Sequence, residues 1–124
     1  MKRIAGCIIL CLLGATLTGC AGLRDYDSAS PVYKNPSDLY DRAFAAHEGG
    51  QYAKARDLFH EYIGEFSNTL VFKSALYYLA HCYQKLGEDR EALVLYSRIV
   101  DAYGEDDFWG AQAMKRIQQI KEGQ

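Results

Sequence analysis

The chain has 124 residues, 49% of them hydrophobic and 24% charged, with a formal net charge of −2. That composition fits one small globular domain and excludes a disordered or fibrous chain. A mildly acidic balance without a basic run speaks against nucleic-acid binding, and ten tyrosines against two prolines point to a helical domain with aromatic packing.

The N-terminal segment reads as an export and anchoring signal. Met1-Lys2-Arg3 supplies a positive start, Ile4 to Leu13 a short apolar core, and Leu17-Thr18-Gly19-Cys20 a small-residue ending. These last four residues resemble the lipobox of bacterial lipoproteins. The resemblance implies that residues 1–19 are removed and that Cys20 becomes the lipidated first residue, its thiol carrying the diacylglyceryl group. Several acyl chains on one residue hold a protein on a membrane, whereas a single chain is marginal. Ala21 stands where an aspartate retains such proteins in the inner membrane, so the resemblance implies sorting to the outer membrane. The charge-free run Ile4 to Leu23 also reaches the ~20 residues of a membrane span, although Gly6, Gly14, Gly19 and Gly22 dilute it. Both readings put the domain outside the cytoplasm and on a membrane. Loss of Lys2 and Arg3 with the signal leaves 12 of the 14 basic side chains against 16 acidic ones, a net of −4. Cys7 and Cys11 leave as well, so Cys82 is the one free thiol and no internal disulfide is expected.

Residues 20–36 are polar, contain Pro31 and Pro36, and read as the lipidated cysteine followed by a flexible tether. Tyr26 and Tyr33 are best taken as ordinary linker residues within it. From Ser37 onward the chain repeats at an offset of 37. Ser37, Leu39, Tyr40, Ala43, Gly50, Ala55 and Leu58 return as Ser74, Leu76, Tyr77, Ala80, Gly87, Ala92 and Leu95. The second half of each unit carries one apolar helical stripe, Ala55, Leu58, Phe59, Tyr62, Ile63 and Phe66, then Ala92, Leu95, Tyr96, Ile99, Val100 and Tyr103. Gly50 and Gly87 stand where the first helix of each pair must turn sharply, a place for a residue free to take positive φ. A last amphipathic segment runs through Met114, Ile117 and Ile120. Asp106 or Asp107 suits its start, and Lys115, Arg116 and Lys121 suit the negative end of its dipole.

Gly50-Gln51-Tyr52-Ala53-Lys54-Ala55 resembles the turn of the tetratricopeptide repeat, and Gly87-Glu88-Asp89-Arg90-Glu91-Ala92 follows it except at Asp89. The resemblance implies an all-α domain over residues 37–122: a right-handed solenoid of two helical hairpins plus a C-terminal capping helix. The units exceed the usual ~34 residues, and in this they look like those of the outer-membrane β-barrel assembly lipoprotein and of the C-terminal part of the Tol–Pal coordinator. In such repeats the first helices line a concave face. Placed on this chain, the motif implies a partner-binding groove of Tyr40, Phe44, His47, Tyr77, His81, Gln84 and Lys85, with Met114 and Gln118 added from the cap. The same aromatics suit packing between neighbouring helices equally well. Phe108 and Trp109 form a second patch, and Trp109 aligns with Phe72 as a staple of the junction between units.

Nothing in the chain carries an enzyme's signature. Cys82 and His81 are adjacent on a helix and point about 100° apart. His47, His60 and His81 lack metal-ligand spacing, and neither a phosphate loop nor a nucleophile elbow is present. His60 reads as a surface histidine. No cofactor, metal or catalytic residue is expected. The expectation is a periplasmic, lipid-anchored scaffold that binds a protein or peptide partner in outer-membrane or cell-wall assembly. The alternative is a self-associating homo-oligomer, paired through an exposed face of Leu39, Ala43 and Ala46.

Overall fold

The structure, a computed structural model, describes residues 35–123; the signal segment 1–19, Cys20 and the tether up to residue 34 lie outside the described residues. Five α-helices follow one another, and no strand is present among the described residues. They are α1 (Pro36–Glu48), α2 (Tyr52–Glu65), α3 (Phe72–Lys85), α4 (Asp89–Tyr103) and α5 (Phe108–Gly123). Two hairpins, α1–α2 and α3–α4, and a closing helix reproduce the expected architecture. The first helix starts slightly earlier than its periodicity indicates. Asn35 caps it by accepting from the Asp38 amide at 2.8 Å, and Pro36, which has no N–H to leave unpaired, occupies the first turn.

Each hairpin turns at a glycine in the left-handed region, as expected of Gly50 (φ 76°) and Gly87 (φ 80°). The hydrogen bonds explain why. Gln51 N–H donates to the Ala46 carbonyl at 2.9 Å and Gly50 N–H to that of His47 at 3.0 Å. Glu88 N–H donates to Tyr83 at 2.8 Å and Gly87 N–H to Gln84 at 3.1 Å. Both sets form the six-to-one and five-to-two closure that satisfies the last carbonyls of a helix.

The buried side chains recur at i, i+4 and i+7 on every helix. Leu39, Ala43 and Ala46 of α1 meet Ala55, Phe59 and Tyr62 of α2, and Ala75, Leu79 and Cys82 of α3 complete this first cluster. Leu76, Tyr77 and Ala80 leave α3 at a different angle and join Ala92, Tyr96 and Ile99 of α4 and Ala113, Ile117 and Ile120 of α5. Helix α3 is therefore buried on two faces and joins both halves of the core. The face of Leu39, Ala43 and Ala46 is not free for self-association: the three are 0%, 0% and 6% exposed. The first hairpin consumes that stripe, and the outward side of α1 carries Ser37, Asp41, Arg42 and Glu48.

The link between α2 and α3 takes six residues, 66–71, and that between α4 and α5 four, 104–107. Thr69 ties the first link down, its hydroxyl 2.6 Å from that of Tyr62. In the second link, Gly104 has φ 80° and ψ 168°, a conformation nearly confined to glycine. Asp107 caps α5, accepting from the amides of Trp109 at 3.0 Å and Gly110 at 3.3 Å, while its other oxygen meets Lys73 at 2.7 Å. That Lys73 contact and the two amides hold the Asp107 carboxyl below its ordinary pKa. Among the described residues, no helix is long and apolar enough to cross a membrane.

Candidate binding groove

The first helices of the units, α1, α3 and α5, come together on one side, with α1 touching α3 and α3 touching α5. Between them lies a hollow of about 300 Å³. Its floor comes from His47 on α1 and from Tyr77, Tyr78 and His81 on α3; Phe108, Trp109, Gln112 and Arg116 of α5 form the opposite wall. Three of the seven expected groove residues, His47, Tyr77 and His81, line this hollow. The remaining four do not, and each departure has a physical cause.

Tyr40 is a junction residue. Its ring lies edge-on to Phe59 at 5.8 Å and to Tyr62 at 5.6 Å. The Ser74 hydroxyl gives its single proton to the Val71 carbonyl at 2.8 Å, so the Tyr40 hydroxyl, 3.0 Å from Ser74, must be the donor of that pair. Burial raises the Tyr40 pKa. Phe44 packs edge-on against Tyr78 at 5.1 Å, within the first cluster. Gln84 accepts from the Tyr96 hydroxyl at 3.1 Å and so satisfies a phenol whose ring is wholly buried. Lys85 is exposed at the end of α3. Between groove and core, Tyr40 and Phe44 pack between helices, while Tyr77, 7% exposed, belongs to the second cluster and also lines the hollow.

The cap contributes Gln112 and Arg116 where Met114 and Gln118 were expected. Those expectations extended the offset of 37, whereas the link before α5 is two residues shorter than the one before α3. Tyr77 and His81 are accordingly answered in the hollow by residues 35 further on, Gln112 and Arg116. The spacing Phe108, Gln112, Arg116 marks one helical face, a signal readable only once the register is known. Trp109 fulfils the staple expectation, its ring 5.2 Å from that of Tyr77 and packed, like Phe72, on the second cluster. It also walls the hollow. Phe108 remains 65% exposed beside it, the rings 5.0 Å apart.

Under the hollow His47 Nε2 and His81 Nδ1 lie 2.7 Å apart, with the residues 8% and 9% exposed. One must donate and the other accept. His47 Nδ1 makes no hydrogen bond yet sits 3.4 Å from a Glu48 carboxylate oxygen. A bare lone pair facing that carboxylate would be repelled, so the proton belongs on His47 Nδ1. His81 Nδ1–H then donates to His47 Nε2. Burial lowers the pKa of both rings. His81 falls to about 4, with Arg116, His47 and Lys85 adding to the effect. For His47 the fall is opposed by Glu48 and reinforced by Lys85 and Arg116. Both rings are neutral at pH 7. Arg116 Nε donates to the Tyr77 hydroxyl at 3.0 Å and holds the wall of α5 against the floor.

Cys82 is 0% exposed, and burial pushes its thiol up to about 12, the reverse of an activated nucleophile. His60 is exposed, 2.8 Å from the Tyr83 hydroxyl. It edges a second depression of about 310 Å³ on the outer face with Val94 and Leu95. Among the described residues, no group of three or more His, Cys, Asp or Glu side chains could hold a metal ion.

A family model described as tetratricopeptide repeat matches residues 40–115, which takes in both hairpins except the first turn of α1, and the first half of α5. No curated protein and no solved structure matches the chain.

Proposed function

The chain belongs to the tetratricopeptide-repeat family, whose domains mediate protein–protein interaction, and from that premise we propose a lipid-anchored scaffold of the bacterial cell envelope. In this reading Cys20 carries the lipid, the outer membrane is the site of anchorage, and the repeat domain meets its partner in the periplasm. The partner is a protein of outer-membrane or cell-wall assembly, held through a peptide segment. The observation that carries the binding role is the aromatic-walled hollow of about 300 Å³ between α3 and α5. Rigid helices present it, so a peptide laid there meets a preformed surface and loses little to reorganisation. What supports the anchor is the sequence Leu17-Thr18-Gly19-Cys20 after a charged start and an apolar run.

Two substitutions test the reading in cells. A photoreactive phenylalanine in place of Gln112 should crosslink a second protein, and Cys20→Ser should abolish labelling by a fatty-acid analogue and leave residues 1–19 uncleaved, seen as a heavier chain. A membrane-bound, unlabelled wild-type chain would refute the lipid anchor. Failure of any adduct to form at Gln112 would refute the groove. An adduct of twice the chain's own mass would favour self-association instead.

A further inference from the structure

We propose that the hollow selects an acidic peptide segment, one carboxylate side chain meeting Arg116 while a neighbouring aromatic or aliphatic side chain lies against Phe108 and Trp109. The inference rests on the concave hollow being the binding surface and adds the chemistry of what binds.

Charge comes first. Arg116 is half-buried, and its guanidinium donates to the Tyr77 hydroxyl at 3.0 Å and to the Gln119 side-chain oxygen at 3.4 Å. Among the described residues no carboxylate lies within ion-pairing distance of it, whereas Arg56 pairs with Asp57 and Glu88, and Lys73 with Asp107. No acid lines the hollow. Glu48 touches His47 Nδ1 but is not part of the lining. Lys85 is close enough for its charge to act on both histidines, as Arg116 does. The hollow is therefore a positive spot on a chain whose formal net charge is −2. Glu48 acts on His47 and Tyr78 from beside the hollow, so that one acid stands against two cations, Arg116 and Lys85, and the cations prevail.

Ligand classes separate on that basis. A cationic segment would be repelled by Arg116. A purely apolar segment would strip water from the guanidinium and leave it unpaired, which is costly. A carboxylate recovers that loss with a charge-assisted, often bidentate bond. The apolar half of the site is equally specific: Phe108 is 65% exposed, and its ring meets that of Trp109 edge-on at 5.0 Å. An aromatic or aliphatic side chain one or two positions from the carboxylate would cover both.

Trp109 is the chain's single tryptophan, so its fluorescence reports the hollow directly. The full-length chain in detergent micelles is titrated with a capped hexapeptide alternating glutamate and phenylalanine, then with the same peptide carrying glutamine for glutamate. The acidic peptide should change the Trp109 emission saturably and bind about ten- to a hundredfold more tightly than its glutamine form, the range of one charge-assisted hydrogen bond. Arg116→Gln should remove most of that ratio, with helicity checked by circular dichroism. If that variant does not fold, Arg116→Lys and the two-peptide comparison on the wild-type chain still decide. Equal binding of the two peptides would overturn the selectivity while leaving the groove as a peptide site. An unchanged ratio in Arg116→Gln would place the anion elsewhere and overturn it too. Emission unmoved by either peptide at millimolar concentration would also overturn it, and crosslinking at Gln112 would then show whether the groove itself survives.

Discussion

Acidification should destabilise this domain through the His47–His81 pair well before its carboxylates titrate. In the folded chain His81 is 9% exposed, donates to His47, and has a pKa of about 4. In the unfolded chain an ordinary histidine titrates near 6.5. The folded pKa is the lower one, so the unfolded state takes up protons first as the pH falls. Stability is full above about pH 6.5 and is lost progressively toward pH 4. The whole gap corresponds to ~3 kcal/mol, and about 2 kcal/mol of it is gone by pH 5. His47, also lowered by burial, adds to the loss. Set against a domain stability of roughly 5–15 kcal/mol, this is a large fraction. The Asp107 carboxyl, held low by Lys73, contributes only below its unfolded value of about 4, outside this window. Urea denaturation at pH 7.5, 6 and 5 measures the slope, and His81→Gln, which cannot take up the proton, should flatten it whatever its stability at pH 7.5. Equal slopes for the wild-type and His81→Gln chains, or a ring titration of folded His81 near 6.5 by NMR, would refute the buried neutral pair.

Further outcomes follow from single contacts. Gly110→Ala should destabilise by ~1–3 kcal/mol in thermal melts, because a Cβ there overlaps the Gly104 carbonyl oxygen and approaches its carbonyl carbon at 2.8 Å. Gly64→Ala, on an exposed helical site with nothing within 4 Å, should instead stabilise by up to ~1 kcal/mol; the same sign for both would contradict the packing of α5 on its link. Asp107→Ala should cost ~1 kcal/mol through loss of the α5 cap, and a neutral result in urea titrations would mean the cap is dispensable. Cys82 should resist a thiol reagent in native buffer and react fully in denaturant, since it is 0% exposed with its pKa near 12. Rapid native labelling would sink that account.

The hairpins were legible because their causes are local. An apolar stripe every three or four residues makes a helix with one buried face. Gly50 and Gly87 end the first helices because the left-handed turn needs no partner elsewhere in the chain. The repeat at an offset of 37 therefore specified four helices, their pairing and the core positions Ala55, Phe59, Tyr62, Ala92, Tyr96 and Ile99. Whether an aromatic on a first helix faces the groove or the core is a different kind of question. Tyr40 and Tyr77 hold equivalent places in the repeat, yet Tyr40 packs beneath Ser74 while Tyr77 floors the hollow, because a different neighbour stands over each.

The tertiary structure alone decided the site. His47 meets His81 across 34 residues of sequence, and the pairing exists only because α1 lies against α3. The four-residue link 104–107 rotates α5 so that Gln112 and Arg116 face inward in place of Met114 and Gln118. Arg116, which by position alone serves the helix dipole, becomes the charged residue of the groove through its bond to Tyr77. Periodicity determines which face of a helix is apolar, since that is set within each turn of the chain. The register between helices depends on link length and on which side chains interlock, and those are settled only when the helices pack.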